Sequence, residues 1–102
     1  MDKQAALERD YQTKKLDYEE QEETCMNQRE KAMSIIEEVE ERSCHYLNRA
    51  MVDIDIMMKG YRRSEHMKEE VMEVIHAREK EIARKLEQLD EDYISELKKL
   101  QD

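Results

Sequence analysis

The chain of 102 residues has no proline, no tryptophan, no phenylalanine and a single glycine. Without proline, nothing in the chain removes a helix hydrogen bond or forces a kink. Tryptophan and phenylalanine are the usual anchors of compact α/β and all-β cores, and tyrosine is the only aromatic type present. No apolar run approaches the roughly 20 residues that cross a bilayer, and the N-terminus lacks the apolar core of a signal peptide, so membrane insertion is not expected. There are only two cysteines, Cys25 and Cys44. On one helix they would lie roughly 28 Å apart, out of disulfide reach, which favours two reduced, small apolar residues over an intramolecular bridge. An intermolecular disulfide is the alternative. No glycine-rich phosphate loop and no Ser-His-Asp or Cys-His constellation is present, so neither an enzyme nor a cofactor is expected.

What fills the chain instead is charge and helix formers. Charged residues make up 44% and hydrophobic ones 38%, with a net charge of −9. Glu, Lys, Arg, Gln, Leu, Met and Ala dominate nearly every window, the composition of long helix. The acidic balance repels phosphate and argues against a nucleic-acid partner.

Apolar spacing organises this composition. From Met67 onward the apolar residues run Met67, Val71, Ile75, Ile82, Leu86, Leu89, Tyr93, Leu97 and Leu100, in steps of three and four or their sum. That is one helical stripe with coiled-coil character. A second stripe holds Ala32, Ile36, Val39, Ser43, Tyr46 or Leu47, Ala50, Ile54, Met57 and Tyr61. It thins backward through Cys25, Tyr18, Tyr11 and Leu7. The expected fold class is all-α: an antiparallel two-helix hairpin with a coiled-coil-like seam and a long first helix.

The turn is expected at Gly60. Glycine accepts the left-handed conformation that closes helices, Lys59 complements the negative helix end, and Ser64 can cap a new helix with Glu65, Glu69 and Glu70 behind it. This gives one domain over residues 1–102, with helix 1 about 3–59, a turn about 60–64 and helix 2 about 65–101. A turn at "SCHYLN", residues 43–48, and a single unbroken helix are the alternatives. "VDIDI", residues 52–56, alternates as a strand does, but too briefly and without a pairing partner. Asp53 and Asp55 fail as a calcium loop because Met57 and Met58 occupy its fifth and sixth positions.

A fold-back near residue 62 sets residue 75 opposite about 49 and residue 89 opposite about 35. The first twenty or so residues then overhang, leaving Leu7, Tyr11, Leu16 and Tyr18 without a partner in their own chain. Near the bend, Ala50, Met51, Val52, Ile54, Ile56, Met57 and Met58 surround the helix, more than one facing helix covers. Leu7, Tyr11, Leu16, Tyr18, Met51, Val52, Ile56 and Met58 are therefore the expected partner-binding residues. Glu73 and His76 form a Glu-x-x-His step, half of a di-iron motif, which would need a second chain to complete it. No metal ligand is expected.

The acidic hairpin plan and the long helix "SEHMKEEVMEVIHAREKEIARKLEQLDEDYISELKKLQ" resemble the small α-helical partner proteins that accompany LXG-domain toxins in Gram-positive type VII secretion. The resemblance covers mainly residues 64–101. It implies a chain that binds the helical LXG domain before export, with room for a second small WXG-like helical protein beside it. Lys59-Gly60-Tyr61 stands where a WXG-type chain has Trp-x-Gly, and no Phe-x-x-x-Asp export motif is present. The resemblance is thus to the accompanying type, placed in the cytoplasm, with export together with the toxin left open. A self-associating coiled-coil adaptor, an export chaperone of another system, or a dimeric metal-binding bundle are the alternatives.

Overall fold

The computed structural model describes residues 2–51 and 53–101, and among these it contains two α-helices and no strand. Helix α1 spans Lys3–Arg49 and α2 spans Ile54–Gln101. The fold is the expected all-α helical hairpin.

Both helices begin with the same device. Asp2 accepts the Gln4 amide on its side chain at 3.1 Å and the Ala6 amide on its carbonyl at 3.3 Å. Asp53 does the same for α2. Its Oδ1 accepts the Asp55 amide at 3.4 Å, and its carbonyl accepts the amides of Ile56 and Met57 at 3.1 and 3.2 Å. An aspartate there satisfies a donor that the first helical turn leaves unpaired, and its charge suits the positive helix end. Asp55 adds a second carboxylate in that turn, while Lys98 and Lys99 complement the far end of α2.

The bend lies at residues 50–53, not at Gly60. The Ala50 amide still reaches the Tyr46 carbonyl at 3.0 Å, and the Met51 amide reaches Asn48 at 3.3 Å. Met51 then adopts a left-handed backbone with φ of 57°, the conformation that commonly terminates helices. Val52, between Met51 and the Asp53 cap, lies outside the described residues. Gly60 sits inside α2 with no positive φ, and a Cβ added to it would meet nothing within 4 Å. Ser64 does not cap a helix start; it is also inside α2.

Length explains the choice. The observed bend makes helices of 47 and 48 residues, so that residues 1–25 acquire a facing helix. A bend at Gly60 would strand them. A glycine within a helix costs about 1 kcal/mol relative to alanine, a small sum beside the pairing of several helical turns.

The pairing falls into two units. One contains Met1–Cys25 with Ala77–Asp102, the other Met26–His76. In the first, the Tyr11 ring stacks on Tyr93 with centroids 4.1 Å apart. Its phenol donates to Asp90 Oδ1 at 2.5 Å. Cys25 and Ile82 are the buried residues there, 4% and 5% exposed. In the second, Ser64 of α2 donates to Glu40 of α1, and Ile36, 7% exposed, is the buried residue. The residue numbers of the Tyr11–Tyr93 and Glu40–Ser64 pairs each add to 104. The expected pairing of 75 with about 49 is therefore replaced by one near 29.

Along α2, Val71, Ile75, Leu86, Leu89, Tyr93 and Leu97 are half-buried and Ile82 is buried, as the spacing predicts, while Met67 and Leu100 are exposed. Exposed pairs one turn apart, such as Lys14–Asp10, Arg42–Glu38 and Lys85–Glu81, lace the outer faces. Each contributes only a few tenths of a kcal/mol.

Candidate functional site

The helix pair covers only part of its apolar surface. The chain exposes 8672 Å² at 12.4 kDa, whereas an average folded monomer of that mass exposes about 6100 Å². The excess is not evenly spread. Among the described residues, Leu16, Ile94 and Leu100 are the exposed large apolar residues of the unit that holds both termini, and eleven more lie in Met26–His76.

Five of these side chains, Val39, Tyr46, Met58, Tyr61 and Met67, line a groove of ≈ 990 Å³ between α1 and α2 within that second unit. From α1 come Ile36, Val39, Tyr46 and Leu47; from α2 come Met57, Met58, Tyr61 and Met67. Both sets follow helical spacing. Val39, Met58, Tyr61 and Met67 are exposed, and Tyr46 is 72% exposed. Three methionine side chains, Met57, Met58 and Met67, stand on this wall, flexible side chains that adapt to the shape of whatever packs on them. Gly60 lines the groove too, and its missing side chain leaves that stretch of α2 open.

A polar clasp borders the groove. Glu40 Oε1 accepts the Ser64 hydroxyl and pairs with Lys68 Nζ at 3.0 Å, while Lys68 also reaches Glu65 at 3.3 Å. The Ser64 hydrogen bond, with the Lys68 ammonium second, holds the Glu40 carboxyl below its usual range. The Lys68 amine is correspondingly raised, chiefly by its hydrogen bond to Glu40. The clasp ties the α1 and α2 walls of the groove together.

The expected partner-binding residues separate into two sets. Leu7, Tyr11 and Tyr18 are half-buried in the unit where α1 meets the end of α2, and Tyr11 is engaged by Asp90 and Tyr93. They are no overhang, because the bend at 50–53 supplies the helix that a bend at Gly60 would have withheld. Leu16 of the same set is exposed. Near the bend, Met51 is 92% exposed and Ile56 and Met58 are exposed; Met58 lines the large groove and Ile56 a smaller one. Val52 is outside the described residues.

Val39, Tyr46, Tyr61 and Met67 are the groove residues that the spacing assigns to the internal seam and that are exposed instead. Two facing helices cover about two positions per heptad, and a third apolar position in the same heptad stays outside. Residues 36–47 carry that surplus, since Ile36, Val39, Tyr46 and Leu47 exceed what one seam accommodates.

Among the described residues no group of three or more His, Cys, Asp or Glu could hold a metal ion, so Glu73 and His76 are not gathered into such a cluster. Cys25 and Cys44 are free thiols, the first buried and the second exposed. No helix among the described residues is long and apolar enough to cross a membrane. Comparison of the chain with known protein families, curated proteins and solved structures gives no match.

Proposed function

We propose that this protein acts by binding, not by catalysis: it is a helical partner protein whose groove receives a helix of another protein. The observation that carries this reading is the concentration of exposed apolar side chains around the ≈ 990 Å³ groove in Met26–His76. An amphipathic helix laid there would cover Val39, Tyr46, Tyr61 and Met67, in the manner of helix-in-groove recognition. Apolar patches of this kind are otherwise a liability in a lone protein.

The partner proposed is the helical LXG domain of a secreted toxin, which the chain would stabilise or deliver to the type VII machinery. A second small WXG-like helical protein would complete the assembly. The support is the resemblance of residues 64–101 together with the unfilled groove. The chain would meet its toxin in the cytoplasm.

Co-expression with an LXG domain tests both parts. The wild-type chain should co-purify with it, and Val39→Glu combined with Tyr61→Glu should abolish capture. Both side chains are exposed, so the variant should keep its helical circular dichroism. A stable homodimer that ignores the LXG domain would instead favour a self-associating adaptor. Capture unaffected by the two substitutions would remove the groove from the interface.

A further inference from the structure

A smaller groove of ≈ 640 Å³ adjoins the first in the same unit, sharing Leu47, Gly60 and Arg63 with it, and differs in being lined mainly by cations. Leu47 and Ile56 supply its apolar wall, and Gly60 leaves its middle without a side chain. Lys59, Arg62, Arg63 and His66 supply the rest, and no carboxylate is among the described residues that line it. On α2 these positions recur at three and four, which places them along one side of the helix.

The charge is local. Residues 49–63 contain four bases, Arg49, Lys59, Arg62 and Arg63, against two acids, Asp53 and Asp55, in a chain whose net charge is −9. His66 is paired with Glu70 at 3.1 Å. Lys59, Arg62 and Arg63 make no ion pair or side-chain hydrogen bond among the described residues. Like charges three and four residues apart weaken a helix, and neither Asp55 nor Glu65, which stand at helical spacing from Lys59 and Arg62, is paired with them. The Lys-x-x-Arg-Arg cluster beside this apolar notch is thus unused by the ion pairs of the fold among the described residues.

We propose that this groove binds an acidic amphipathic helix of the partner, with an apolar side chain seated over Leu47, Ile56 and the bare Gly60 and carboxylates meeting Lys59, Arg62 and Arg63. The inference rests on the partner-binding reading above and adds the chemistry that selects the partner. A second copy docked about a two-fold axis would set these cations against themselves. A nucleic acid would extend its phosphates over a chain that carries acids nearly everywhere else. A single acidic helix meets neither penalty, and charge complementarity of this kind fixes partner choice and orientation.

The test uses the full-length, isotope-labelled chain and two synthetic helical peptides with the same leucine stripe, one flanked by glutamates and one by lysines. In nuclear magnetic resonance titrations the glutamate peptide should shift amides of residues 47–66 and weaken as salt is raised. The lysine peptide should bind about tenfold less tightly or worse. Arg62→Glu with Arg63→Glu should reverse the preference, and Gly60→Leu, which fills the notch without altering charge, should weaken both peptides. Equal affinity for the two peptides, or indifference to charge reversal, overturns the inference while leaving the helix-binding reading intact. Binding of neither peptide overturns both. Self-association abolished by the charge reversal would give the groove to a second copy, and tighter binding of an oligonucleotide would give it to a nucleic acid; either result overturns the proposal.

Discussion

Tyr11 reaches across the helix pair to Asp90, 79 positions away in sequence, with a 2.5 Å hydrogen bond from its phenol. The same ring lies flat on Tyr93, 18° from parallel. Tyr11→Phe should keep the stack, lose the hydrogen bond and lower the melting temperature slightly. Tyr11→Ala should lose both and lower it further, as should Tyr11→Asp, which places a carboxylate against Asp90. Thermal circular dichroism of the series ranks them. Equal melting temperatures for all three variants and the wild type would contradict the pairing.

Stability should fall at both ends of the pH scale, for opposite reasons. The Glu40 carboxyl is lowered by Ser64 and Lys68, so its contribution is present above the unfolded carboxylate value of about 4.3 and is lost as pH falls through the folded value. Lys68 is raised, mainly by Glu40; its contribution is present below about 10.4 and is lost as pH rises through its folded value. Tyr11 is raised first by its hydrogen bond to Asp90, and its contribution likewise disappears on the alkaline side, from about 10 upward. Chemical denaturation followed against pH should show both arms. Glu40→Gln should flatten the acid arm, and Tyr11→Phe should reduce the alkaline one.

Two substitutions distinguish the observed bend from a bend at Gly60. Gly60→Ala should stabilise the protein by about 1 kcal/mol, because alanine is the better helix residue and space for its methyl is open. Met51→Gly should stabilise by about 0.5–1 kcal/mol, since φ of 57° strains any side-chain-bearing residue. A loss of stability on Gly60→Ala, measured by thermal melting, would return the turn to Gly60.

Asp53→Ala should cost about 1 kcal/mol through loss of the α2 cap, whereas Asp55→Asn should change little. Hydrogen exchange of the Asp55 amide, which the Asp53 side chain accepts, reads the cap directly. Faster exchange should be confined to that first turn.

Ile82 is 5% exposed, and its truncation to alanine should cost about 2–5 kcal/mol by leaving a cavity. Ile82→Asp should unfold the hairpin by burying an unpaired charge. Leu16→Ala, at an exposed position, should fall within about 0.5 kcal/mol of wild type. Denaturant titration of the three variants gives the comparison.

The helical hairpin is legible because Val71, Ile75, Ile82, Leu86, Leu89 and Tyr93 keep a helical period, skipping one place at Glu79, and no proline breaks it. The bend was harder to read. Gly60 advertises a stop, yet glycine is tolerated within a helix when enough pairing depends on it. The decisive signal, Asp53 before an apolar run, is also an ordinary helix residue and was hidden inside the alternation of "VDIDI". A bend at Gly60 displaces every cross-helix pair, so that Tyr11, which belongs against Tyr93, reads as an overhang. Val39 and Tyr61 read as seam for another reason, the surplus of apolar positions over what one facing helix covers. The Glu40–Ser64–Lys68 clasp could not be read at all, since nothing local in sequence pairs residue 40 with 64 and 68 until the register is known.

The register also orders events in time. The Glu40–Ser64 bond closes 24 residues and the Tyr11–Asp90 bond 79. The longer closure costs roughly 1 kcal/mol more in chain entropy, which favours a zipper started at the bend over one started at the termini. The segment that pairs first is thus the segment with the most uncovered apolar surface. If a helix binds there as proposed, one arriving while the chain is still closing would find the groove already shaped and would serve as the template on which the remaining turns are wound.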